Sequence, residues 1–158
     1  MYYIIYLLGI VFYFVKGIGI HKIFPGFIDY VTLVFILFPC FFILFCTKSF
    51  KSFGRAFLFA FGKRDASLTQ YRESLASVKM TAVTAVVFGI LCCMIGMINS
   101  VTFCSLSSFD DIYWILRDAG VALLSPFYSL LVCMILLPVY FLLKQHIIVQ
   151  ESAADEEH

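Results

Sequence analysis

The chain has 158 residues, 63% of them hydrophobic and 13% charged, with a mean hydropathy of +1.00 and a formal net charge of +1. A water-soluble domain of that size cannot cover so much apolar surface with so few charges, so the sequence reads as an integral membrane protein. The near-neutral balance gives no electrostatic basis for binding nucleic acid, and the apolar segments use nearly every residue, which leaves little for a second folded domain.

The first span is expected from about Tyr2 to Ile20. No Lys or Arg precedes its apolar run and no small-residue cleavage site follows, so it reads as a span and not a signal peptide. Tyr2, Tyr3 and Tyr6 suit an interfacial belt, and Lys16 can snorkel to the headgroups at the far end. A short connection, His21 to Asp29, carries the turn signal Pro25-Gly26. The second span, about Tyr30 to Thr47, is rich in Phe, which suits a lipid-facing helix, and Pro39 inside it should loosen that helix.

Residues 48–79 are the long polar piece, with seven Lys and Arg against Asp65 and Glu73. Its first part spaces Phe50, Phe53, Phe57 and Phe61 at three- and four-residue steps beside basic residues. That pattern predicts an amphipathic helix at the membrane surface, stopped by Gly62. Asp65 or Ser67 is the expected cap of the next helix, which shows Leu68, Tyr71, Leu75 and Val78 on one face and runs into the third span. The charges serve a solvated, lipid-contacting face or a docking surface, for which Arg55, Lys63, Arg64, Arg72 and Glu73 are the candidates.

The third span, about Thr81 to Leu106, places Thr81, Thr84, Gly89, Cys92, Gly96 and Asn99 or Ser100 along one face. Gly89 and Gly96 are one heptad apart and present bare backbone to the same neighbour. Ser105 to Ala119 reads as an outer loop holding a short interfacial helix, with Asp110 and Asp111 at its N-terminus. Gly120 to Leu143 is the longest uncharged stretch; its 24 residues reach roughly 36 Å, enough to cross a bilayer core with some tilt. Ala122, Ser125, Ser129 and Cys133 recur on one face, small and slightly polar, which asks for another helix or a narrow wet path. Pro138 marks a bend, and residues 144–158 are expected to be a disordered polar tail.

The expected fold is therefore all-α: an integral membrane protein with four transmembrane helices and a short amphipathic cytoplasmic helical segment. Its parts are residues 1–47, 48–79, 80–143 and 144–158. With both termini inside, eight Lys and Arg lie on the inner side and Lys16, Lys22 and Arg117 on the outer, in agreement with the positive-inside rule. None of the six cysteines forms a C-x-x-C pair and most lie in apolar runs, so they read as small packing residues and no metal or cofactor is expected. No ionisable residue lies in the middle of any span. Either the protein moves no ions, or a partner supplies the titrating group. No catalytic set can be assembled at one membrane depth, so an enzyme is not expected.

Phe88 to Ile98, FGILCCMIGMI, and Gly120 to Pro138, GVALLSPFYSLLVCMILLP, together resemble the last two spans of the MotA/TolQ/ExbB proton-channel family. Gly89 and Gly96 match two glycines of the family's third span, with Cys92 and Cys93 in place of a glycine and a threonine. In the last span Val121, Ala122, Leu123, Leu124, Tyr128, Leu130, Leu131 and Pro138 match, while Ser125, Pro126 and Ser129 replace two threonines and a glycine. The Phe27-Ile28-Asp29 turn, the basic Phe-containing helix and the four-span count resemble the MotA branch.

The resemblance implies five such subunits around two copies of a single-span MotB/ExbD/TolR-like partner, in a bacterial inner membrane. That partner brings the membrane aspartate, and ion flow drives mechanical work. It implies that Cys93, Gly96, Ser125, Pro126 and Ser129 face the partner and the ion path and that Pro138 sets the cytoplasmic bend, while Gly89, Cys92, Ala122 and Cys133 read from their spacing as helix-packing residues. Two departures stand beside it. The long cytoplasmic domain of a MotA-type protein is reduced here to residues 48–79, and the family's threonines are gone. A non-conducting scaffold with the same architecture, or a small four-helix transporter, are the alternatives.

Overall fold

The computed structural model describes residues 5, 6, 8, 9, 12, 30–60, 66–103 and 109–156. Every element among them is an α-helix: α1 (Tyr30–Cys46), α2 (Phe50–Ala60), α3 (Leu68–Phe103), α4 (Phe109–Ala122) and α5 (Leu124–Glu156). Ile5, Tyr6, Leu8, Gly9 and Phe12 are helical as well. Lys16, the Pro25-Gly26 and Phe27-Ile28-Asp29 turns, Phe61, the Gly62 stop, Lys63, Arg64, the Asp65 cap and Cys104 lie outside the described residues.

Among the described residues, two stretches are long and apolar enough to cross a membrane, Leu68–Thr102 and Ile115–Ser152, and a third, Val31–Cys46 with Phe50–Ala60, is so only if the bent pair is taken as one span. Only 22% of the most apolar window of either long stretch is buried inside the protein. Phe35, Phe38, Phe41, Phe42 and Phe45 all stand exposed along α1. Apolar surface on this scale has no place in water but costs nothing against acyl chains, so the helices fit a bilayer.

α1 ends in a bend of 106° into α2. The Ser49 N–H donates to the Leu44 carbonyl at 3.0 Å and the Lys48 N–H to the Phe45 carbonyl at 3.1 Å, the hydrogen-bond pair of a Schellman cap. The residue at the left-handed position is Lys48, with φ of 53°, where glycine is the usual occupant. Phe41 and Phe50 stack across the corner with ring centroids 6.0 Å apart. α2 then lies against the start of α3 and the end of α5. The aromatic stripe is only part of the face it buries: Ala56 and Phe59 are the fully covered residues, Phe53 and Phe57 are half-covered, and Phe50 is exposed.

α3, α5 and α1 run alternately up and down. The Cys40 thiol lies 3.8 Å from the Thr81 carbonyl and the Cys133 thiol 3.6 Å from the Ala82 carbonyl. A core within the spans joins Ile36 and Cys40 of α1, Ala85 of α3 and Tyr128 of α5. A second core closes the other end, where Ala56, Phe59, Tyr71, Val78, Leu136, Val139, Leu143 and Ile147 meet. Lys48, Lys51, Arg55, Arg72, Lys79 and Lys144 all belong to that end, and Arg117 and Asp118 to the opposite one.

Two expectations need correction. Residues 144–156 are helical, because Ile147 continues the Leu143 stripe by four residues and is buried against the second core. His146 stacks on Tyr71 at 5.5 Å, Glu151 pairs with Arg72, and the Gln150 amide donates to the Ala66 carbonyl at 3.3 Å. Gly120 to Leu143 lies within the single apolar stretch Ile115–Ser152, with one turn residue, Leu123, between α4 and α5 where Pro126 offers no N–H to the Ala122 carbonyl. Tyr6 is not a simple interfacial anchor. Its hydroxyl donates at 3.3 Å to the Met134 carbonyl, the group four residues before Pro138 that proline leaves without a helical partner.

Candidate functional site

The contact between α3 and α5 is built from small residues. A methyl group on Gly89 would stand 1.8 Å from Ser129 Oγ, 2.7 Å from Ser129 Cβ and 3.2 Å from the Ser125 carbonyl; one on Gly96 would stand 2.7 Å from Ala122 Cβ. Both glycines therefore face the same neighbour, the final stretch of chain, and let it approach to backbone contact. Hydroxyls in this seam are satisfied within their own helices. Ser129 donates to the Ser125 carbonyl at 3.0 Å, Thr81 to Ser77 at 2.9 Å, Thr84 to Met80 at 2.9 Å and Ser100 to Gly96 at 2.9 Å. Among the described residues no buried side-chain polar atom lacks a partner.

Beside the seam, α1, α3 and α4 enclose an open cavity of about 690 Å³. α3 contributes Cys92, Ile95, Gly96, Asn99 and Ser100; α4 contributes Arg117, Asp118, Val121 and Ala122; α1 adds Thr32 and Phe35, and Ser125 closes it from α5. The positions follow from helical spacing: Cys92, Gly96 and Asn99 fall on one face of α3, and Asp118, Val121, Ala122 and Ser125 follow one line across the α4–α5 joint. From Asn99 to Cys92 the wall runs seven residues, or about 10 Å. Its outer end is charged, with Asp118 and Arg117 both exposed, and its inner end is apolar. Such a vestibule can hold water and a hydrated ion. Its polar lining is the Asn99 amide, the Thr32, Ser100 and Ser125 hydroxyls, and the Asp118 carboxylate beside the Arg117 guanidinium. Among the described residues no three of His, Cys, Asp and Glu are grouped to hold a metal.

Gly96, Cys92, Ala122 and Ser125 are thus brought together at this cavity. Ser129, expected to face a partner helix, is 2% exposed and faces Gly89 of its own chain. Ser125 is 4% exposed and touches the cavity only at its edge. Cys93 and Pro126 are half-buried and do not line the cavity; Cys133 lies nearer the basic end, and Pro138 is half-buried deeper along α5. Of the docking candidates, Arg55 is half-buried, Glu73 is exposed, and Arg72 is engaged with Glu151. Sequence reasoning missed Thr32, Phe35, Arg117 and Asp118. The signal was present in the Asp118, Val121/Ala122, Ser125 spacing, but a boundary drawn at Gly120 left the charges in a loop.

No protein-family model matches the chain, and neither curated proteins nor solved structures give a match.

Proposed function

We propose that this chain is a four-span subunit of a stator-like ion-conducting assembly of the MotA/TolQ/ExbB kind, in which a single-span MotB/ExbD/TolR-like partner supplies the acidic group. The spans are about 2–20, 30–47, 81–106 and 120–143, with both termini cytoplasmic in a bacterial inner membrane. The observation that carries the reading is the cavity. Gly96 and Ser125, two of the small residues assigned to the ion path, line a pocket whose mouth holds Asp118 and Arg117. Inward of that mouth, α3 has no charged residue before Lys79 and α5 none before Lys144. By the positive-inside rule the basic end is cytoplasmic, so the vestibule opens outward, on the side from which an ion-motive force delivers cations. Past that mouth an ion meets no charged side chain of α3 or α5 until the basic end, which is the gap a partner's aspartate fills. A homopentamer is the ring that the resemblance leads one to expect.

Native mass spectrometry of the chain extracted from its own membranes tests the assembly. A ring with a co-purifying single-span, aspartate-bearing protein is expected, and a stable monomer overturns the reading. Reconstitution of that pair into liposomes should give a proton or sodium leak that vanishes when the partner's aspartate becomes asparagine.

One observation favours a second reading, a non-conducting scaffold. The Gly89–Ser129 seam is closed by the chain itself, and its hydroxyls already donate to their own helices. A ring that assembles with its partner yet leaks no ion would decide for the scaffold.

A further inference from the structure

On the side of the seam away from the vestibule, α3 and α5 form a second hollow of about 320 Å³, near the basic end. Its wall is almost wholly apolar, with Val83, Leu137 and Phe141 on its rim, and one ammonium group, Lys79, at its edge. Lys144 follows Phe141 by three residues and Leu137 by seven, so it stands on the same face of α5 one turn further toward the cytoplasmic end. Both lysines are exposed, and among the described residues neither has an acidic partner at ion-pair distance. The nearest acid on this face, Glu151, is already paired with Arg72. Two cations with no acidic partner among the described residues therefore stand at the end of an apolar groove, at the level where the helices leave the bilayer.

The geometry points to a binding site for one anionic phospholipid of the cytoplasmic leaflet. Its phosphate sits between Lys79 and Lys144, and the upper part of an acyl chain lies along Val83 and Leu137. The volume suits part of one chain and not a folded helix. The charge suits a headgroup with net negative charge and gives a zwitterionic lipid no second partner. The inference depends on the membrane reading alone and holds whether or not the assembly conducts.

The test uses the full chain, stripped of lipid in a neutral detergent and titrated with phosphatidylglycerol or phosphatidylcholine, bound lipid being counted by native mass spectrometry. One phosphatidylglycerol per chain is expected, at an affinity about thirtyfold above phosphatidylcholine from two lysines near the headgroup. Lys79→Gln with Lys144→Gln should abolish that preference. Lys51→Gln, equally basic and exposed but away from the groove, should keep it. Val83→Trp, which fills the hollow and leaves both lysines in place, should also lose the bound lipid, and inorganic phosphate alone should give no complex. Equal retention by the double glutamine variant, equal binding of the two lipids, or a protein helix found in the groove in place of lipid overturns the inference. Circular dichroism on each variant verifies that the helices are intact.

Discussion

Replacing Gly89 with alanine should prise α3 from α5. The added methyl would stand 1.8 Å from Ser129 Oγ, a clash that rotation of the hydroxyl relieves, but also 2.7 Å from Ser129 Cβ, which rotation does not move. A carbon–carbon contact is comfortable near 3.5–4.0 Å, so the helices must part by about 1 Å along the seam. Overpacking of this kind costs about 3 kcal/mol, and alanine's better helix propensity returns about 1, for a net loss of about 2 kcal/mol. That is roughly a thirtyfold fall in the folded-to-unfolded ratio. Ser129→Gly removes the opposing Cβ, so the double variant should recover most of the loss although Ser129→Gly alone is destabilising. Thermal unfolding in detergent, followed by the reaction of buried Cys40 with a fluorogenic maleimide in chains that keep it as their one cysteine, measures all four forms of the cycle. Strictly additive single losses would refute the claim that these two positions touch.

Tyr6→Phe should cost about 1–2 kcal/mol in the same assay, because it strands the Met134 carbonyl that Pro138 leaves free; an unchanged melting curve would mean that the carbonyl finds another donor. Lys48→Gly should stabilise by about 1 kcal/mol, since the left-handed residue of the cap no longer carries a Cβ. A loss there would show that the lysine side chain matters more than its backbone. Leu143→Ala should cost about 3 kcal/mol and Arg72→Gln less than about 1, the first side chain being fully buried and the ion pair of the second lying in solvent. Equal effects would contradict the placement of the second core. In chains that retain a single cysteine, a water-soluble methanethiosulfonate should label Cys92 from the outer side about tenfold faster than Cys133. Val121→Trp should slow the Cys92 reaction, and its failure to do so would argue that the cavity is not the route of access.

The class of the protein and the helices along most of the chain were legible because composition and periodicity act over long windows. Leu68, Tyr71, Leu75 and Val78 lie together against the second core as their spacing requires. The glycine pair Gly89 and Gly96 faces one neighbour for the same reason. What was not legible depended on contacts between residues far apart in sequence. Polar composition made residues 144–156 look unstructured, yet one apolar side chain in register, Ile147, and a pairing partner 79 residues away hold them helical. Phe59 lies outside the evenly spaced aromatic stripe and is nevertheless the aromatic that α2 buries most deeply, because α3 and α5 approach from its side. The vestibule was hidden by a boundary. Charge was taken as the end of the span at Gly120, whereas the helical line from Asp118 to Ser125 carries the polar mouth and the small inner residues on one wall.

The corner at Lys48 has a bearing on biogenesis. Because α1 turns there by 106° and sends α2 under the bundle, Ala56 and Phe59 join a core with Tyr71 and Val78 and with Leu136, Val139, Leu143 and Ile147. A nascent chain can thread its first apolar segments into the bilayer early, but this clasp stays open until Ile147, 88 residues after Phe59, has left the ribosome. Removal of the stretch from Leu136 to Ile147 would therefore leave the amphipathic arm loose on the lipid surface, where quality-control proteases would meet it first.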